Sequence, residues 1–196
     1  MESTEGSFED LEELQFFNPQ GFDKAGRRIL RIVGKHLPAP IVDNVRLKEF
    51  IQHKIFKEIP TEQFCVVYFH SKVSRKDNNP GVFNLRWFYE TLPTDVRQRL
   101  EVVYFVHPGL LARTLLGTLG RFFLSDRLYH KLIYVSRVEF AWDYIKKGHL
   151  HVPEFVLEHD KELEHRPLMD YWVDSDPLGA YGVSGGGPRH SVNWAS

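Results

Sequence analysis

Residues 64–69 read FCVVYF and residues 101–105 read EVVYF, two nearly unbroken apolar runs of strand length. A strand with one solvated face alternates apolar and polar residues, whereas a continuous run is typical of a strand covered on both faces. Two further runs, ILRIVG at 29–34 and LIYV at 132–135, have the same character. The sequence therefore predicts four strands, with the first two runs at the centre of a sheet.

The segments between these runs have helical spacing. Leu47, Phe50, Ile51 and Ile55 fall on one face of a predicted helix over 44–58. Further helices are predicted over 83–92, 110–124, 138–148 and 153–165. Strands that alternate with helices favour the α/β class, with a mixed, mostly parallel sheet flanked by helices.

The length of 196 residues and the composition, 42% hydrophobic and 14% aromatic, predict one folded domain. We place this domain at 26–166. Residues 1–25 are acidic and poor in aliphatic side chains, so we interpret them as a flexible lead-in. Residues 167–196 are rich in glycine and are predicted to form a disordered tail.

The charge is balanced, with a formal net charge of −1, so the chain has no global field that would attract nucleic acid. The single cysteine, Cys65, excludes an internal disulfide, and it is expected to be a buried structural thiol. The acidic N-terminus is unlike a signal peptide. We expect a cytoplasmic protein that contacts membranes only peripherally, through a local patch.

The motifs that could carry catalysis lack the context that catalysis needs. Residues 182–186 read GVSGG, but no strand precedes the serine, as a nucleophile elbow would require. Potential metal ligands do not have convergent spacing. They are His149, His151, His159, Glu162, Glu164 and His165. The chain is therefore predicted not to be an enzyme and to need no metal or other cofactor.

Two histidines end predicted strands, the place where open α/β sheets bind ligands. His70 follows the run at 64–69, and His107 precedes Pro108 after the run at 101–105. These side chains could contact a ligand, or they could only shape the turns.

The predicted helix over 110–124 is apolar nearly all round, and only Arg113 and Arg121 carry charge. Such a helix must be buried or lie against lipid. It is either a core helix covered by later segments or a helix that closes an apolar cavity, with both arginines near lipid headgroups.

Several segments together resemble the divergent, second-type branch of the CRAL-TRIO superfamily, which includes the BCH domain and the domain of ganglioside-induced differentiation-associated-protein-like chains. Residues 21–29 (GFDKAGRRI) resemble the opening of that domain, and residues 64–70 (FCVVYFH) resemble its second strand. Residues 103–108 (VYFVHP) are similar to its third strand and His-Pro turn, and residues 150–160 (LHVPEFVLEHD) resemble its closing helix.

The resemblance implies a non-catalytic domain that holds a lipid or hydrophobic small molecule in an apolar pocket under a gate helix at 108–124. Helical phase and strand position assign the pocket or gate residues, which would be Leu111, Leu115, Leu119, Phe122, Phe123, Tyr68 and Tyr104. Headgroup contacts would fall to Arg113, Arg121, His70 and His107. The alternative is a protein-interaction scaffold that binds a small GTPase or a second copy through the loop 72–79 and the charged C-terminal helix. A glycine-glycine-lysine element of classical lipid exchangers has no counterpart here, which argues against phosphoinositide exchange.

Overall fold

A computed structural model describes residues 8–37, 44–73, 89–114, 116, 118 and 126–165. The strands are β1 (Phe17–Phe22), β2 (Arg28–Val33), β3 (Phe64–Phe69), β4 (Leu100–Val106) and β5 (Leu132–Val135). The helices are α1 (Glu9–Glu13), α2 (Asn44–Phe50), α3 (Phe56–Glu58), α4 (Thr94–Arg99), α5 (Leu110–Thr114), α6 (Asp126–Tyr129), α7 (Val138–Ala141) and α8 (Glu154–His165). A 3₁₀ turn at Gly34–His36 follows β2, and a π-helical turn at Ile51–Ile55 joins α2 to α3.

The sheet has the order β1-β2-β3-β4-β5. Strands β2 to β5 pair in parallel, and β1 pairs antiparallel with β2. The register places Leu30 beside Val66, and Tyr68 beside Phe105. The prediction of a mixed, mostly parallel sheet flanked by helices is confirmed, and each of the four predicted runs contributes one parallel strand.

Strand β1 corrects the predicted lead-in. Residues 17–22 pair with β2 along its outer edge, so the folded domain begins well before residue 26. The run carries Pro19 and Gly21, which conceal a strand in sequence, yet proline is tolerated in an edge strand because one side of such a strand needs no ladder hydrogen bonds. Residues 1–7 and the predicted tail at 167–196 lie outside the described residues.

The core divides between the two faces of the sheet. One face packs Val67 and Tyr104 against residues from α7 to α8, such as Ile145 and Val156. The other face packs Tyr68 and Phe105 against a different set of side chains, among them Leu92, Leu116 and Leu128. A third cluster, with Leu11 and Phe50 at its centre, joins α1 to α2.

Several helices differ in length from the predictions. The predicted helix over 138–148 is a short α7 followed by turns, and its apolar residues Val138, Ala141 and Ile145 are buried as expected. Of the predicted helix over 83–92, residues 89–91 are described and helical. Helix α8 confirms the prediction over 153–165. Within the described ranges, no helix has the length and hydrophobicity needed to traverse a bilayer.

Candidate ligand-binding cavity

An apolar cavity of about 90 Å³ lies on the face of the sheet that carries Tyr68 and Phe105. Its floor is formed by strand residues, among them Leu30, Val66, Tyr68, Val103, Phe105 and Leu132. Its remaining walls include Ile55, Ile59, Tyr89, Leu92, Leu116 and Leu128. Every second residue of β2, β3 and β4 points to this side of the sheet. The floor is apolar because these strands carry hydrophobic residues on both of their faces.

The cavity can accommodate hydrocarbon and excludes charge. None of its lining residues is charged, and the polar groups among them are the phenols of Tyr68 and Tyr89. Transfer of an ion into such surroundings costs several kcal/mol or more unless an opposite charge meets it. The volume is below that of the cavities of roughly 150 Å³ that bind benzene, so in this conformation the space suits a short alkyl segment.

Tyr68 sits where β3 ends, at the wall beside Gly34. A Cβ atom on Gly34 would lie 2.9 Å from both Tyr68 Cζ and Val73 Cγ2, so only glycine leaves room for this ring. The ring centroid of Tyr68 lies 5.0 Å from that of Phe105 and 5.8 Å from that of His70. Burial raises the pKa of Tyr68, so its phenol stays neutral.

His70 borders the same corner. Its Nδ1 lies 3.5 Å from the Tyr68 hydroxyl, and its ring packs 5.2 Å from that of Phe105. Burial lowers the pKa of His70 to about 4, which leaves the imidazole uncharged at neutral pH. A neutral imidazole provides no charge for an anionic headgroup, although it can still exchange a hydrogen bond.

Tyr104 does not line the cavity, which corrects the prediction that it points inward with Tyr68. It pairs in register with Val67, and alternation sends its side chain to the opposite face. There the Tyr104 hydroxyl accepts a hydrogen bond from Arg27 at 3.1 Å and donates to Asp23 at 3.4 Å. Tyr104 therefore stabilises the β1–β2 turn.

The predicted gate segment is described only in part. Leu111 lies in α5, and its side chain is outside the described part, as are Leu115, Leu119, Arg121, Phe122 and Phe123. Arg113 is exposed. Leu116 is buried and lines the cavity, although the sequence had not singled it out. Its spacing of four residues from Ala112, which packs in the same cluster, is the signal that could have found it.

His107 is not available to a headgroup, because it is 5% exposed and engaged on both nitrogens. Its Nε2 donates to Asp160 Oδ1 at 2.7 Å, and its Nδ1 accepts from Ser71 Oγ at 2.7 Å. Asp160 also accepts from the backbone N–H of Val138 at 2.8 Å and from Arg137 Nε at 3.1 Å. The predicted headgroup role of His107 is therefore replaced by a structural one.

The electrostatics of this network agree with a fixed arrangement. Burial lowers the pKa of His107, and the hydrogen bond to Asp160 only partly opposes that effect. Burial would raise the pKa of Asp160, but hydrogen bonds from Arg137, Val138 and His107 bring it below its usual value. A neutral His107 beside an ionised Asp160 ties the ends of β3 and β4 to α8. Ser71, at 1% exposure, has no open approach for a substrate carbonyl.

The other candidates for chemistry are dispersed. His149 bonds the backbone of Phe22, His151 meets Arg31 at 2.8 Å, and His165 bonds the carbonyl of Lys161. Among the residues with described positions, no three His, Cys, Asp or Glu side chains converge as metal ligands would. Cys65 is buried in β3, and burial raises its thiol pKa, as expected of a structural thiol.

Comparison with known proteins identifies relatives of this architecture. A family profile described as "divergent CRAL/TRIO domain" matches residues 26–162. Ganglioside-induced differentiation-associated protein 2 of Bos taurus is 25% identical over 169 residues, which cover 86% of this chain and 33% of that protein. Protein GDAP2 homolog of Nematostella vectensis is 28% identical over 170 residues, 84% of this chain and 33% of that protein.

A third relative is a GTPase-activating protein by name. Rho GTPase-activating protein gacY of Dictyostelium discoideum is 26% identical over 152 residues, 78% of this chain and 21% of that protein. The chain thus spans about a third or less of these relatives. The solved structure "Crystal structure of Sfh5" superimposes with a TM-score of 0.43 at 13% identity, over 79% of this chain and 65% of that chain, a likeness too low to support an argument.

Proposed function

Since this chain belongs to the divergent CRAL/TRIO domain family, we propose that it binds a lipid or other small hydrophobic molecule in the apolar cavity and does not transform it. The observation that carries this proposal is the cavity wall, which is hydrocarbon on every side except for two phenols. Burial of apolar ligand surface would supply the binding energy, at roughly 25 cal/mol per Å².

The wall also limits how a ligand would sit. An acyl chain or ring would enter the cavity, and a charged headgroup would stay outside, since no lining side chain can pair with it. At about 90 Å³ the cavity holds only part of a lipid, so a full-length chain requires the wall to widen. The side that carries Leu116 and Leu128 is the natural place, because the floor is held by the hydrogen-bonded sheet.

The first experiment is native mass spectrometry of the purified protein before and after incubation with mixed liposomes, followed by organic extraction. We expect a bound species of lipid mass. The informative variant is Val103→Phe, which places a ring in the middle of the cavity floor. The matched control is Val45→Phe, the same replacement at a helical site that is 60% exposed.

The outcomes separate clearly. Loss of the bound species in Val103→Phe but not in Val45→Phe, with both proteins folded, supports the cavity as the binding site. Equal lipid content in both variants would show that the ligand lies elsewhere. A bare wild-type protein after liposome incubation would overturn the proposal.

A second candidate is a protein-interaction scaffold that binds a small GTPase or a second copy. The similarity to a Rho GTPase-activating protein favours it. Of the predicted contact loop, Lys72 is described and pairs with Glu162 of α8 at 3.1 Å, whereas Arg75 and Lys76 lie outside the described residues. The reversal of charge at Lys72, Arg75 and Lys76 should weaken a small GTPase pull-down, while Lys57→Glu should not.

We also propose a cytoplasmic location with peripheral membrane contact, which rests on the balanced charge of the chain. Fractionation of cells that express a tagged chain tests this directly. Recovery only in a lumenal compartment would contradict it.

A further inference from the structure

The turn between β1 and β2 and the segment after α7 together form one surface at the end of the sheet where the parallel strands begin. The Lys24 N–H donates to the Tyr144 carbonyl at 2.8 Å, and Asp23 pairs with Ile145 in an antiparallel bridge. We name residues 22–28 and 144–147 the tip surface. It lies opposite the end that holds His70 and His107.

The tip surface concentrates cations that lack acidic partners. Lys24, Arg28, Lys146 and Lys147 make no ion pair within the described part of the chain. Several cations elsewhere do, namely Arg46 with Asp10, Lys54 with Glu12, Lys72 with Glu162 and Arg99 with Asp95. The net charge of the whole chain is −1, so this cluster is a local departure from a balanced surface.

Exposed aromatic rings lie among these cations. Phe22 is 41% exposed and Tyr144 is 38% exposed. The Arg28 guanidinium carbon lies 5.1 Å from the centroid of the Phe22 ring. Phe140, four residues before Tyr144, is also an exposed aromatic. Rings with an apolar body beside long basic side chains are the combination that settles at a membrane–water interface.

The surface is preformed. Asp23 is buried beneath it and accepts hydrogen bonds from the backbone N–H groups of Ala25 and Arg27, each at 2.9 Å. The Arg27 side chain pairs with the same carboxylate at 2.6 Å, and Gly26 makes the turn with a φ of +81°. Because the backbone is fixed in advance, docking would order little of the chain, which favours binding.

We propose that the tip surface docks on an anionic lipid bilayer, with Lys24, Arg28, Lys146 and Lys147 at the phosphate level and the rings of Phe22 and Tyr144 between headgroups. The surface is built from a turn and a short loop, and none of its residues lines the apolar cavity. Its combination of basic and aromatic side chains suits the interface of a bilayer. The attraction comes from the negative potential of acidic lipids, and it acts within a Debye length of the membrane. This docking is independent of the cavity and of any ligand in it.

The test is flotation of the full chain with phosphatidylcholine vesicles, with and without about one third phosphatidylserine. We expect binding only to the anionic vesicles, and its loss at high salt. Each reversed lysine should weaken the partition by about fivefold or more, so Lys146→Glu with Lys147→Glu should weaken it by at least about 25-fold. The control pair is Lys48→Glu with Lys57→Glu, which makes the same charge change at exposed helical positions outside the tip surface.

Two further variants fix the assignment. Asp143 is exposed beside Tyr144, so Asp143→Asn should strengthen binding. Phe22→Ser with Tyr144→Ser should weaken it even at low salt, because the ring contribution is not electrostatic. Thermal unfolding of each variant identifies any that fails to fold.

Equal losses in both lysine pairs would show that only total charge matters, which overturns the proposal. So would equal binding to neutral and anionic vesicles, or no binding by the wild type. Retention of vesicle binding by the cavity variant Val103→Phe would show that the docking and the ligand site are separate, whereas its loss would contradict the independence stated above.

Discussion

His107 Nε2 lies 2.7 Å from Asp160 Oδ1, although 53 residues separate the two in the chain. His107 adopts a φ of +53° directly after β4, in the left-handed region that side chains rarely occupy. The hydrogen bonds to Asp160 and Ser71 compensate for that backbone conformation, because they fix the imidazole on both sides. Helix α8 is thereby fastened to the ends of two central strands.

The first prediction concerns this network. Asp160→Ala should lower the free energy of unfolding by about 2–4 kcal/mol, because His107 and the Val138 N–H lose this acceptor and Arg137 keeps only its longer contact with Glu164. Urea denaturation measures the change. Glu162→Gln on the same helix weakens the more exposed pair with Lys72 and should leave the free energy of unfolding nearly unchanged, because solvent screens that pair. Similar costs for the two variants would contradict the structural role of Asp160.

The second prediction concerns pH. The pKa of His70 falls from 6.5 to about 4 on folding. Between pH 6.5 and pH 4, His70 is therefore protonated in the unfolded chain and neutral in the folded chain. The stability that neutral His70 contributes to the fold is fully present above pH 6.5. It is lost as the pH falls toward 4, and the loss in the free energy of unfolding is on the order of 2–3 kcal/mol.

The measurement is the free energy of unfolding from pH 7 to pH 4, by urea titration. His70→Phe retains a ring against Tyr68 and Phe105 and should give a flatter profile than the wild type. His107 and His36 also have lowered pKa values, so a residual slope is expected in this variant. The exposed control His165→Gln should keep the wild-type profile. Identical profiles for His70→Phe and the wild type would refute the assignment.

A third prediction tests the contact between Gly34 and Tyr68. Gly34→Ala places a methyl group against the phenol, so it should destabilise the fold by about 1–3 kcal/mol and push the ring toward the cavity. In a Tyr68→Ala background the same change should cost at least about 0.5 kcal/mol less, because the clashing ring is gone. A double-mutant cycle of unfolding free energies gives the coupling, and additive effects would mean that the two residues do not meet.

The fourth prediction concerns Asp23. Asp23→Ala removes the acceptor of two backbone N–H groups and the partner of Arg27, so it should cost about 3 kcal/mol. Asp143→Ala, an exposed aspartate nearby, should change the stability by no more than about 0.5 kcal/mol. Comparison of their melting curves checks the difference. An unchanged melting temperature in Asp23→Ala would show that the β1–β2 turn does not depend on the carboxylate of Asp23.

Much of the fold could be predicted from local sequence. The continuous runs at 64–69 and 101–105 identified β3 and β4, and their alternation with predicted helices indicated a mostly parallel sheet. Helix α8 was predictable because Pro153 directly precedes it and its residues favour a helix. Strand β1 was not predictable, since FNPQGF has no alternation and becomes a strand only because β2 offers it a free edge.

The candidate site shows the same division. Local sequence determined that β3 and β4 are apolar, and hence that hydrocarbon covers both faces of the sheet. Local sequence could not assign Tyr68 to the cavity and Tyr104 to the opposite face. Odd and even positions of these strands are both apolar, so no polar residue shows which side faces which layer. Only the register between strands, and the choice of which helices cover which face, decided that.

The partners of His107 were equally hidden. The sequence marked His107 by its position after a strand, but Ser71 and Asp160 reach it from 36 residues before and 53 residues after. Local sequence determined the strands and helices, because spacing and hydrophobicity act over a few residues. Tertiary structure alone decided which side chains meet, because those contacts depend on the packing of segments far apart in the chain.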